Sequence, residues 1–181
     1  MGRGWPMRSR RGARSVAIRV LAFAAILPLA ACGSNTSASG AASQQSLQKT
    51  ADLFAIGQIE KNWHQASSTH DIDLMMSLWA PDATFTVSGI TYTGADAIRN
   101  FFEEKAAPFQ PENHWVSDSP AYKEKVTVDG DKGTLYFECD YVDTKTQKVV
   151  AVVSADQDVA RINGQWLITN SVAATPELTA W

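Results

Sequence analysis

Two cysteines in 181 residues are too few for a disulfide framework. Histidine is nearly as scarce, with three in the chain. His64 and His70 lie six apart near a helix end, a spacing that does not bring both to one metal. The sequence holds no HExxH or CxxC motif, no glycine-rich phosphate loop and no G-x-S-x-G. The commoner zinc, redox, nucleotide and serine-nucleophile chemistries therefore have no carrier, and no cofactor or metal is expected. No acidic residue precedes Asp52. The longest apolar run, from Val16 to Ala31, is broken by Arg19 and Pro28. The dozen or so residues after Arg19 fall short of the ~20 that a membrane-spanning helix needs.

What stands in place of a span is an export pattern. Arg3, Arg8, Arg10, Arg11, Arg14 and Arg19 precede or enter the short apolar run, which ends in small residues. Residues 1–31 read as a cleaved signal peptide. Leu29-Ala30-Ala31-Cys32 resembles a bacterial lipobox. That resemblance implies a lipid on Cys32, which becomes the first mature residue, and a protein exported and anchored to the bacterial cell envelope. Residues 33–46 are Ser, Ala, Gly, Gln, Asn and Thr without a charge. They cannot bury enough surface to order themselves, so 32–47 is expected to be the lipidated cysteine and a flexible linker, with one folded domain over 48–181. Removing 1–31 leaves ten Lys and Arg against 19 Asp and Glu, a net charge of −9 instead of −3. A body this acidic excludes nucleic acid as a natural partner and leaves the lipid as the membrane contact. Cys139 alternates with Phe137 and Tyr141 and reads as a buried core thiol.

The domain divides by periodicity. Over 50–68, Leu53, Ile56, Ile59, Trp63 and Ala66 recur at helical spacing. Asp71 suits the N-cap of a second helix that Pro81 would end. Thr84 to Thr93 alternate about Gly89 as a hairpin, and a third helix begins near Ala95, with Ile98, Phe101 and Phe102 inward. Strands are expected at about 113–128, 133–143, 148–162 and 165–173, the last two joined by Asn163-Gly164, a strong hairpin signal. Leu135, Phe137, Cys139 and Tyr141 share one face, with Tyr136, Glu138, Asp140 and Val142 on the other. Val149 to Arg161, taken alternately, share a face of the next strand. Helices early and long strands late give an α+β class, a strongly bent antiparallel sheet wrapped around three helices.

This order, with "HDIDLMMSLWAPDATF", "YTGADAIRNFF", "VTVDGDKGTLYF" and "ARINGQWLI" at residues 70–85, 92–102, 126–137 and 160–168, resembles the SnoaL-like branch of the nuclear-transport-factor-2-like superfamily. The resemblance implies a cone with an apolar pocket at its open end. Trp63, Trp79, Tyr92, Phe102, Trp115 and Tyr141 are the expected pocket residues. It also implies that an acid–base enzyme of this family would pair a pocket carboxylate with a histidine, and Asp71 and His114 are the candidates. A carboxylate in such a pocket is raised toward neutrality and can exchange a proton there. The tyrosine that such dehydratases carry about five residues before the aspartate is replaced by Ala66. Three functions follow: a tethered non-catalytic domain that binds a small apolar molecule or a partner protein; a cofactor-independent isomerase, dehydratase or hydrolase; and a structural domain dimerising through its exposed sheet face. The anchor is separately testable. Cys32→Ser should move the chain from the membrane to the soluble fraction of fractionated cells, and retention in the membrane would contradict the lipid assignment.

Overall fold

The computed structural model describes residues 36–117 and 121–175. The signal peptide, Cys32 and the first residues of the expected linker lie outside them. Helix α1 runs Thr36–Thr69 and so begins well before residue 50. Residues 36–46, expected as irregular chain, are its first turns. Ala41, Ala42, Gln44, Gln45 and Leu47 are strong helix formers, and Gln48 donates to Asp52 Oδ1 at 2.9 Å. Residues 40–51 are exposed throughout, so local propensity, not packing, accounts for the extension. From Asp52 onward the helix packs, with Ile56, Ile59, Trp63 and Ala66 buried.

His70 ends α1 in a left-handed conformation, φ 58°. The Asp71 amide then reaches back to the Ala66 carbonyl at 2.9 Å, the closing bond of a Schellman turn. Helix α2 is short, Ile72–Met76. Trp79 and Ala80, expected at its end, instead open strand β1, Trp79–Val87. Pro81 thus sits within a strand. It is tolerated because pairing with the neighbouring strand is irregular between Trp79 and Thr84, where no ladder bond is required of it. Strand β2, Ile90–Thr93, completes the hairpin, and α3 follows over Ala95–Glu104. Gly94, at φ 84°, precedes α3 as its N-cap and lends no side chain.

A 3₁₀ turn, Ala107–Phe109, leads into β3, Trp115–Ser117, and β4, Lys123–Asp129. These two replace the single strand expected over 113–128. Pro120 lies between them in sequence and has no N–H for a ladder. Both pair antiparallel with β5, Lys132–Asp143, which pairs with β6, Lys148–Ile162, and β6 with β7, Gln165–Ala174. The order is β2-β1-β7-β6-β5-β3, with β4 also on β5; only β1 and β7 run parallel. The result is an α+β domain in which helices pack against a curled, unclosed seven-stranded sheet.

The inner face of β5 carries Leu135, Phe137, Cys139 and Tyr141, all buried. Beyond Tyr141 the pairing shifts, and Val142 meets Val149. This bulge turns Val149 away from the face it was expected to share with Ala151, and it is exposed. At Gly133 of β5 the neighbouring strand β4 and helix α1 both press close. A Cβ there would meet the Thr127 carbonyl at 2.5 Å and Ile56 Cδ1 at 2.9 Å, so only glycine fits.

Candidate functional site

The aromatic residues of three elements converge on one indole. Trp63 of α1 lies 5.8 Å from Trp79 and 6.3 Å from Phe85 of β1, 5.7 Å from Phe102 of α3 and 5.8 Å from Phe137 of β5, ring centre to ring centre. Beside this cluster the sheet curls away from the helices and leaves a cavity of about 300 Å³. Trp63, Phe102, Trp115 and Tyr141 lie on its wall. Trp79 stands behind that wall in the core, 4 % exposed and 6.2 Å from Phe102. Tyr92 lines a separate shallow groove, where its ring is 4.9 Å from Phe101.

The polar groups of the cavity are few. Ser67 follows Trp63 by one helical turn, which carries its hydroxyl to Tyr141. Burial pushes the Tyr141 hydroxyl well above the ordinary tyrosine range, and the nearby Cys139 adds to this. Hydrogen bonds from Ser67 and Trp63 pull part of the way back; Ser117 Oγ lies close enough to contribute but makes no full hydrogen bond. The phenol is held in its protonated form. Among the described residues lining the cavity there is no carboxylate and no imidazole, and Lys105 is the only charged side chain. No group of three His, Cys, Asp or Glu among the described residues could hold a metal ion.

Asp71 and His114 are not on the cavity wall. Asp71 caps α2: its Oδ1 accepts the Leu74 amide at 2.8 Å, and the residue is exposed. His114 is also exposed, and its carbonyl accepts the Thr144 amide and hydroxyl, each at 3.0 Å. Its backbone therefore anchors the turn between β5 and β6.

Two polar clusters escaped the sequence reading. Glu60 and His64, one turn apart on α1, are buried at 0 % and 1 % exposure, with Nε2 3.4 Å from Oε1. Glu60 Oε1 also accepts the Ala121 amide at 2.7 Å, and the His64 ring packs 5.4 Å from Phe137. Their signal was the four-residue spacing beside Ile56, Ile59 and Trp63, which places them under the sheet with the apolar stripe. The second cluster is Glu138, expected on a solvated face but 9 % exposed. It accepts from Lys123 Nζ at 2.6 Å, from Tyr122 Oη at 2.9 Å and from Tyr136 Oη. Lys123, then Tyr136, hold its carboxyl below the usual glutamate range. A lowered folded-state value means that the clamp stabilises β4 on β5 above the unfolded carboxylate value and fails as acid protonates it.

Comparison with known proteins places this geometry. Residues 48–172 match the model of the SnoaL-like domain. An NTF2-like protein with a cystatin-like fold from Novosphingobium aromaticivorans is 18% identical, with a TM-score of 0.62 over 82% of this chain and 95% of that one. An NTF2-like protein of unknown function from Pseudomonas putida is 19% identical, TM-score 0.61, over 70% and 88%. A hexachlorocyclohexane dehydrochlorinase, LinA-type3, from Novosphingobium barchaimii is 16% identical, TM-score 0.61, over 74% and 92%. No curated protein matches the chain. At these identities the likeness is one of fold. The cap geometry makes its own prediction. Asp71→Ala should cost about 1 kcal/mol in chemical denaturation, and His114→Ala no more than about 0.5 kcal/mol. A loss several times larger at either position would mean a role beyond the one its contacts show.

Proposed function

The chain belongs to the SnoaL-like domain family, and on that premise we propose that it is a non-catalytic binding domain. Its cone cavity takes one small apolar molecule, and a lipid on Cys32 tethers it to the cell envelope. The observation that carries this reading is the cavity wall: Trp63, Phe85, Phe102, Phe109 and Trp115 around a space that holds no carboxylate or imidazole among the described residues. At about 300 Å³ it stands at the small end of the ligand-site range of roughly 300–1,000 Å³. Burying a compact apolar body there removes its surface from water without asking any charged group to lose hydration.

The acid–base alternative needs a proton carrier at the ligand. Asp71 is engaged as a cap and His114 is exposed, so neither supports it. Tyr141 is the one titratable hydroxyl on the wall, and burial holds it protonated. A dimer through the sheet face draws support from Val149, Val150 and Val172, which are exposed at 53 %, 42 % and 45 %. Tyr136, half-buried against Glu138, is not a free surface residue for such a contact. The tether rests on the sequence of residues 1–47 alone.

The cavity reading is tested by blocking it. Neutral 2-naphthamide, followed by tryptophan fluorescence of the purified chain, should bind and should lose about tenfold or more in affinity in Val153→Phe, which fills the space. Equal binding to both proteins, or chemical turnover of a ligand that requires Tyr141, would sink the non-catalytic reading of this cavity.

A further inference from the structure

The cavity is apolar almost everywhere, and the one charged side chain among the described residues of its wall, Lys105, is shared with the Tyr92 groove. Lys105 follows the last residue of α3; its side chain is exposed, yet it lines the cavity. Its ammonium lies 3.5 Å from the Tyr92 hydroxyl and 5.4 Å from the centre of that ring. Among the described residues no carboxylate lies within ion-pair distance of it. The ion pairs among the described residues all lie elsewhere. On its own helix, Glu103 is engaged by Arg99 at 3.2 Å. Glu104 shares the shallow Tyr92 groove with Lys105 but does not reach ion-pair distance.

The inner polar groups make no comparable demand. Ser67 and Trp63 already hydrogen-bond the Tyr141 hydroxyl. Ser88, also on the wall, is exposed in the β1–β2 turn at φ 53°. Polar selectivity therefore falls to Lys105. An ammonium against low-dielectric aromatic walls attracts an anion more strongly than the same group on an open surface. A neutral acceptor gains a hydrogen bond from it without the attraction between full charges.

We propose that the ligand of this cavity is a small aromatic or alicyclic carboxylate. Its apolar ring lies within the cage of Phe85, Phe102, Phe109 and Trp115, and its carboxylate lies at the mouth on Lys105. The inference rests on the cavity reading above and adds the ligand's charge to it. The chemistry is a charge-assisted hydrogen bond from one point charge, so it selects for a carboxylate head without fixing its orientation as an arginine fork would. The volume limits the body to about one or two rings. The acidic charge of the remaining chain does not oppose this: among the described residues the cavity wall carries no charge besides Lys105, Glu104 in the neighbouring groove stays beyond ion-pair distance, and distant surface charges are screened.

The test compares isosteres. Titration calorimetry of the purified chain with 2-naphthoate and with 2-naphthamide should show the carboxylate binding about fivefold or more tightly at low salt. That preference should shrink toward parity as salt is raised, while the amide's affinity stays constant. Lys105→Gln should weaken naphthoate binding more than amide binding and so remove the preference; Lys105→Arg should retain it. Amide binding equal to or tighter than naphthoate binding overturns the carboxylate assignment and leaves the apolar cavity standing. So does a preference that survives Lys105→Gln. Failure of both probes to bind overturns the cavity reading, and this assignment with it. The salt series needs no substitution, so it decides even if a Lys105 variant does not fold.

Discussion

The fold depends on where the Trp63 indole sits. One side chain on α1 touches rings from β1, α3 and β5, which brings together segments far apart in the sequence. Aromatic contacts of this kind contribute about 0.5–1.5 kcal/mol each beyond the area they bury. The Arg161–Asp52 pair, which also ties α1 to the sheet, involves an arginine side chain still 23 % exposed. The Asp52 carboxylate is only 8 % exposed, so the cost of burying that charge offsets part of the attraction. The four ring contacts therefore outweigh it, and the helix is placed by aromatic packing with the ion pair as a trim at its outer end.

The cavity follows from the same constraint. The sheet curls to cover α1, and the large rings around Trp63 fill the narrow part of the space. Toward the open end the inward residues become small: Ala151, Val153 and Ala173 take the positions that larger side chains hold deeper in. The polar residues of the core stay out of that space. Glu60 and His64 are buried under β5, and the Glu138 clamp lies on the sheet's other face. These polar groups bond helix and strands to one another and lie off the cavity wall.

Much of this was legible from periodicity. The α1 stripe, the β1–β2 hairpin, α3 and the three long strands all show their spacing in the sequence, because each has one buried face. Where both faces or neither are buried, spacing misleads. Residues 40–46 are exposed and are helical by propensity, not by packing. Pro81 suggested a helix end, but the pairing gap that admits it into β1 belongs to the sheet. At the site, aromatic residues at inward positions were readable, while Trp79 and Tyr92 show that inward and cavity-lining are different properties. Asp71 suited both a cap and a pocket carboxylate, and only the Leu74 amide at 2.8 Å chooses between them. Glu138 was read as solvated because alternation puts it outward, and alternation carries no knowledge of Lys123 of β4 and Tyr122 just before it closing over the carboxylate. Lys105 was missed because a lysine after a helix looks like ordinary surface until the wall beside it is seen to be uncharged.

The central claim is that the space beside Trp63 is a dry apolar cavity. Xenon pressurisation of crystals tests it directly, since an apolar cavity stays empty of water and takes up xenon. The account predicts xenon among Trp63, Phe102, Trp115 and Tyr141. Ordered water filling that space, with no xenon in it, would contradict the account.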